Sequence, residues 1–329
     1  MKPFAYVDAA DEREAIAALG PRRGRFLPFA GGTDLLALMK NYVATPERLV
    51  NVKNLDSRVV RASDGGLKIG AAMTIDDLVN HPAVRQLYPA LVQAGEAVGT
   101  TQIRHTGTVG GNLNQRPRCW YFRNEEFNCL KKGGSRCFAE DGENQFHAIF
   151  GNGPCRMVHP SSLAVPAIAL RATFRVIGPA GEREIAAGEY FVMSDRNPFG
   201  ETVLQPTELM THMILPPPGA AKSATYEVRF QQSHGWPIAT ASVALHMSGT
   251  AIRSARIVMG SVAPIPWRAP AAERVLAGQA ISEQAAMEAA DAAVQGAKPM
   301  SQNGYKVQVA RTAVKRAIMQ AAGMKADWA

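Results

Sequence analysis

Four cysteines, the only ones in 329 residues, fall inside one short stretch at Cys119, Cys129, Cys137 and Cys155, spaced C-x9-C-x7-C-x17-C. Thiolates are the soft ligands that iron–sulfur clusters and zinc select. Zinc ribbons and fingers normally use tight C-x2-C pairs, which this chain lacks, so the spacing argues against structural zinc. A cluster held in a loop accepts looser spacing. Two disulfides are the third option. They are weakened because MKPFAYVDAADEREAI has no apolar secretory core and because a chain this long can build a large core without staples.

The surroundings suit a metal centre. Arg116, Arg118, Arg123, Lys131, Lys132 and Arg136 outnumber Glu125 and Glu126, and cations stabilise the excess negative charge of a thiolate-ligated cluster. Trp120, Tyr121, Phe122, Phe127 and Phe138 are available to shield it from water. The plain alternative is a basic, aromatic surface loop.

Several elements must position this stretch. Asp8 is placed to cap a helix through Leu19 that ends at Gly20-Pro21. Arg25 to Phe29 predicts a strand leading through Ala30-Gly31-Gly32-Thr33-Asp34 into a helix from Leu35 to Lys40. Strands are expected at 49–52 and 67–72, a helix opening at Thr74 or Asp76, and another over 89–98. Residues 99–114 read as a glycine- and threonine-rich turn region. Beyond the cysteines come a helix at 164–170 and strands at 173–177, 183–185 and 208–215.

Pro216-Pro217-Pro218-Gly219 is the best domain boundary. After it, strands near 226–230, 240–247 and 255–262 precede helices at 269–277, 283–295 (capped by Ser282) and 305–322, which predicts an α+β C-terminal domain. Composition is globular, with 47% apolar and 19% charged residues. No apolar run approaches the roughly 20 residues of a membrane span. The net charge of +8 is spread along the chain, without the dense basic run with interleaved aromatics that would point to nucleic acid.

Gly31-Gly32 and Gly110-Gly111 sit in turns that allow close backbone approach to a ligand. Neither matches the dinucleotide fingerprint G-x-G-x-x-G or the P-loop. Each glycine pair alone is an ordinary turn. Two near a candidate redox cluster point to a pyrophosphate-bearing redox cofactor.

Phe29-Ala30-Gly31-Gly32-Thr33-Asp34-Leu35-Leu36, Gly107-Thr108-Val109-Gly110-Gly111-Asn112-Leu113, and Gly260-Ser261-Val262-Ala263-Pro264 with Arg268-Ala269 resemble the FAD-binding medium subunit of the molybdenum hydroxylases. That is the xanthine dehydrogenase, aldehyde oxidoreductase and carbon monoxide dehydrogenase family, and the resemblance covers essentially the whole chain. It implies an α+β fold: a two-lobed FAD domain of the PCMH/vanillyl-alcohol-oxidase type over 1–218, followed by a small α+β domain over 219–329. The long link from Leu113 to Val158 is similar to the cysteine-rich insertion of a subgroup with an added [4Fe-4S] cluster, placed here at about 116–158. By that likeness the four cysteines would ligate the cluster.

Carried over residue by residue, Pro28, Phe29, Ala30, Gly31, Gly32, Thr33, Asp34 and Leu35, with Thr108, Gly110, Gly111 and Asn112, would cradle the FAD pyrophosphate through backbone N–H groups. Gln115, Leu204 and Arg229 would lie near the flavin, and Trp236 is a flavin neighbour or a buried packing residue. Ser162 stands where relatives usually carry aspartate, so it offers a hydroxyl without charge. The function implied is electron transfer through FAD and a [4Fe-4S] cluster, between a partner's [2Fe-2S] clusters and an external acceptor or donor. The substrate chemistry would lie on a molybdenum-cofactor large subunit, and the [2Fe-2S] clusters on a small subunit. The other readings are a stand-alone flavoenzyme and a zinc-binding interaction module. The expected location is the cytoplasm, or the periplasm by co-export with a signal-bearing partner.

Overall fold

The computed structural model describes residues 1–151, 153–231 and 235–324, so the last five residues of the 219–329 assignment lie outside the described residues. Three sheets organise the chain. Strands β1 (Ala5–Asp8), β2 (Phe26–Phe29) and β3 (Arg48–Asn51) form a small parallel sheet in the order β1-β3-β2. Strands β4 (Val59–Arg61), β5 (Leu67–Gly70), β6 (Thr173–Gly178), β7 (Gly181–Ala186) and β8 (Leu209–Leu215) form an antiparallel sheet in the order β4-β5-β8-β6-β7. These are the two lobes of the first unit. Strands β9 (Ala221–Arg229), β10 (Pro237–Ser248), β11 (Ala251–Gly260) and β12 (Trp267–Arg268) make an antiparallel sheet after the proline run.

Each sheet has its own core. The five-stranded sheet buries Ile69, Phe174, Val176 and Met213 against Leu78, Leu91 and Val165 from helices Ile75–Asn80, Pro89–Glu96 and Ala164–Ala169. In the last unit, helix Glu283–Val294 is capped by the Ser282 hydroxyl. It turns Ala285, Ala286, Ala289, Ala290 and Ala293 inward at helical spacing. The long helix Tyr305–Ala322 packs on β9 and β10 and ends at Gly323, whose φ of 74° is the left-handed C-cap conformation.

Three details differ from the sequence reading. The first helix is Glu12–Ala18, capped by Asp11 rather than Asp8, because Asp8 lies at the end of β1 and is held by Asn51 and Asn54. The stretch 99–114 is not all turn. Thr100 and Thr108 each accept an N–H from three residues on, starting short helices at Thr101–Thr106 and Val109–Leu113. Strands β1 and β4 were not anticipated, being short and mostly exposed.

The cysteine stretch has little regular structure, only Trp120–Arg123 and a 3-10 turn at Leu130–Lys132. It is pinned by Asn144, which is fully buried. The Asn144 amide donates to Ala139 O, Gly142 O and Ser301 Oγ, while its Oδ1 accepts from the Gln302 N–H. The insertion is therefore tied to the C-terminal unit, not only to the lobes that contain it in sequence.

Candidate flavin pocket and cysteine site

A cavity of about 460 Å³ opens where the parallel sheet meets the five-stranded sheet, a size suited to a large organic cofactor. The whole run from Pro28 to Leu35 lines it, and so do Thr108, Gly110, Gly111, Asn112, Gln115, Ser162 and Leu204. Two turns far apart in sequence meet here. A Cβ on Gly31 would lie 2.0 Å from the Thr106 carbonyl oxygen, so only glycine fits, and Gly32 has a φ of 70°. Among the described residues, no protein acceptor takes the backbone N–H groups of Gly31, Gly32, Thr33 and Asp34. They are available to an anion.

The second turn behaves differently from expectation. Gly110 N–H donates to Ala71 O at 2.8 Å, Gly111 N–H to Thr108 Oγ1 at 3.0 Å, and Asn112 N–H to Thr108 O at 2.8 Å. Those donors are spent on folding the short helix, so this turn offers close-packed surface rather than a cradle of N–H groups. The Gln115 amide is also occupied, donating to Asn112 O and accepting from Arg118.

Arg229 stands apart from the cavity lining. Its guanidinium holds Glu227 Oε2 at 2.8 Å and donates to Ala97 O. Trp236 is not buried: it is 53% exposed at the rim, with the Arg118 guanidinium stacked 4.3 Å over its ring. Sequence reasoning missed Glu227. Its side chain is only 6% exposed, and among the described residues Oε1 has no hydrogen-bond partner. Burial pushes its carboxyl up against the pull of Arg229 and the nearby Ser162 and Thr240 hydroxyls. A carboxyl thus stands beside the uncharged Ser162, supplied from β9.

Asp34 joins this pocket to the cysteine stretch. It accepts from the Arg116 N–H at 2.8 Å, and from the guanidinium groups of Arg118 at 3.0 Å and Arg123 at 2.5 Å. Glu201 similarly neutralises Arg116 and Lys131, each at 2.8 Å. The cations expected to surround a cluster are therefore largely paired with two carboxylates from outside the local sequence. Lys131 still faces the thiols, and its charge favours the Cys155 thiolate.

All four cysteines line one small cavity with Tyr121, Phe122, Lys131, Phe138 and Met157. Phe127 closes the aromatic wall, edge-on to Tyr121 and Phe138 at 5.1 and 5.2 Å. Backbone N–H groups of Tyr121 and Phe122 point at Cys119, those of Ala139 and Arg156 at Cys137, and that of Met157 at Cys155. Burial pushes the Cys119 thiol up to about 12. The neighbouring Cys155 draws the Cys137 thiol down, and the same pairing, with burial, pushes Cys155 up.

Four thiols, N–H donors aimed at sulfur and an aromatic wall are the surroundings an iron–sulfur cluster uses, so the donor set fits one. The space among the sulfurs is about 10 Å³, so the fit rests on the donor set and not on the size of the void. Among the described residues, no three of His, Cys, Asp or Glu converge closely enough to hold a single ion.

A histidine absent from the sequence reading borders this site. His147 Nε2 lies 3.3 Å from Cys119 Sγ, and burial with the nearby Lys306 charge pushes its ring down to about 4. A lone histidine between Phe146 and Ala148 carries no pattern that could have flagged it.

Residues 2–218 match the family described as the FAD-binding domain in molybdopterin dehydrogenase, and residues 224–321 match the CO dehydrogenase flavoprotein C-terminal domain. The chain is 34% identical over 326 residues to the aldehyde oxidoreductase FAD-binding subunit PaoB of Escherichia coli K12, covering 98% of this chain and 99% of that one. It is 27% identical to the carbon monoxide dehydrogenase medium chain of Hydrogenophaga pseudoflava, covering 96% of each. A solved structure of carbon monoxide dehydrogenase from that organism superposes with a TM-score of 0.77 at 26% identity over 99% of both chains. With both domain types in order and a 34% identical relative spanning both, the chain belongs to the FAD-binding medium-subunit family of the molybdenum hydroxylases, as an oxidoreductase subunit.

Proposed function

We propose that this chain is the electron-transfer subunit of a molybdenum hydroxylase, using FAD in the large cavity and a [4Fe-4S] cluster held by Cys119, Cys129, Cys137 and Cys155. It would work between the [2Fe-2S] clusters of a small subunit and an external acceptor or donor, with substrate chemistry on a molybdenum-cofactor large subunit. The observation that carries this is the double use of Asp34, which lines the flavin cavity and binds two arginines of the cysteine stretch. The two sites are thereby neighbours held at fixed separation.

Bound FAD exchanges one or two electrons and a cluster exchanges one, which couples single-electron carriers to hydride chemistry. The chain's own residues bind and orient. Free N–H groups from Gly31 to Asp34 would hold the pyrophosphate, and the tight contact of Gly31 on Thr106 shapes the wall. Asp34 and Glu201 hold the cysteine stretch, and Tyr121, Phe127 and Phe138 keep water from the thiols. No acid or base of this chain acts on the organic substrate.

Iron, acid-labile sulfide and the visible spectrum of the purified complex test this. One [4Fe-4S] equivalent beyond the partner's clusters is expected, and Cys119→Ser should lose that iron while keeping flavin. Zinc near one equivalent without iron or sulfide would overturn the cluster assignment. Turnover by this polypeptide alone would overturn the subunit assignment.

A further inference from the structure

His147 belongs neither to the flavin pocket nor to the four thiols, yet it is only 3% exposed. Its ring meets Trp120 edge-on at 5.4 Å, and its Nε2 reaches Cys119 Sγ at 3.3 Å. The C-terminal unit holds it there. The His147 carbonyl accepts from Asn303 Nδ2 at 3.1 Å and from Lys306 Nζ at 3.0 Å. Lys306 is itself 1% exposed, and its remaining bonds go to the carbonyls of Phe146 at 3.0 Å and Ser261 at 2.7 Å. Asn303 is fully buried and also donates to Ala148 O at 3.3 Å. Two buried side chains are thus spent on fixing one backbone segment, and the side chain that segment delivers points at a cysteine sulfur.

The chemistry of that contact follows from the donor inventory. A neutral imidazole carries one N–H and one bare nitrogen, and a metal-bound thiolate can only accept. With Cys119 as a ligand, the hydrogen therefore sits on Nε2. Nδ1, which has no hydrogen-bond partner, is the bare nitrogen. Trp120 and Tyr121 border the ring, at 5.4 and 6.2 Å between centroids, and keep the contact dry, where a hydrogen bond to a charged sulfur is strong.

We propose that His147 is a positioning residue of the cluster: its Nε2–H donates to the Cys119 sulfur and raises the cluster's reduction potential. Reduction adds negative charge that spreads onto the ligand sulfurs, and a donor there stabilises the reduced state more than the oxidised one. Lys306 and Asn303 make the C-terminal unit part of this tuning. The proposal rests on the four-cysteine cluster reading given above.

The test is a potentiometric titration of the whole complex, followed by the electron paramagnetic resonance of the reduced cluster, on wild type, His147→Phe and His147→Gln, with iron and flavin measured in each sample. Wild type lacking iron beyond the partner's clusters removes the cluster and this proposal with it, before any variant is compared. The expected result is a more negative midpoint in His147→Phe with iron and flavin retained, and a return toward the wild-type midpoint in His147→Gln, which keeps an N–H donor. Loss of iron in the Phe variant that the Gln variant rescues also supports the bond. An unchanged midpoint in His147→Phe with its iron retained overturns the proposal. So does equal loss of iron in both variants, which would show a packing role.

Discussion

Replacing Gly31 by alanine puts one methyl group where two backbone turns touch. The added Cβ would lie 2.0 Å from Thr106 O, 2.6 Å from Thr106 C and 3.1 Å from Gly107 Cα. Ordinary carbon–oxygen contacts begin near 3.3 Å, so the turns have to separate by about 1.3 Å. The obstacle is main chain and not a side chain that can swing away. Gly107 cannot yield easily, because its N–H donates to Ile103 O at 2.7 Å and its carbonyl accepts from Ile75 N–H at 2.9 Å. Overpacking of this kind costs about 1–3 kcal/mol, and a backbone obstacle belongs at the upper end. If about 2–3 kcal/mol falls on the flavin pocket, the FAD dissociation constant rises roughly 30- to 150-fold. Titrating FAD into deflavinated complex and following the quenching of flavin fluorescence reads this directly. Gly188→Ala, where a Cβ meets nothing within 4 Å, is the control. Wild-type affinity in Gly31→Ala would overturn the claim that close approach of the two turns shapes the site.

Asp34→Asn should lower Tm and release flavin and iron together, since it weakens charged hydrogen bonds to Arg118 and Arg123 worth about 1.5–3 kcal/mol each. Retention of both cofactors at the wild-type Tm would show the two sites to be independent. His159, buried at 2% exposure, is pushed down to about 4 by burial. As pH falls below about 6.5 the unfolded chain takes up this proton first, so stability present above that pH is lost toward pH 4, by up to about 3 kcal/mol. Chemical denaturation at a series of pH values should show a shallower slope in His159→Gln than in wild type, the remainder coming from His147, which burial pushes down to about the same value.

That the two glycine turns would face one cavity was legible because they carry local signals. Gly31-Gly32 and Gly110-Gly111 sit at punctuated strand–helix junctions, and their neighbours line one cavity. What the motifs did not reveal was how the donors are used. The Thr108 turn consumes its own N–H groups because the threonine hydroxyl caps the helix it begins, leaving the first turn as the one of the two with free N–H groups among the described residues. The same limit applied to charge. The basic residues around the cysteines read as a cationic halo, yet Asp34 and Glu201, distant in sequence, neutralise most of them. Ser162 read as a missing charge, while Glu227 stood behind it on a strand of the next unit.

The chain's order of residues was enough to determine its two units, the glycine turns and the thiol donor set, because turn formation, amphipathic spacing and ligand softness are properties of neighbouring or like residues. Tertiary structure alone decided that the four thiols share one cavity, that Asp34 bonds both sites, and that Lys306 and Asn303 bring His147 to Cys119. Those are contacts across more than eighty residues or across an irregular loop. No periodicity encodes them, and only the seating of Asn303 and Lys306 at one place on the insertion and of the Asp34 turn at another brings the partners within hydrogen-bonding reach.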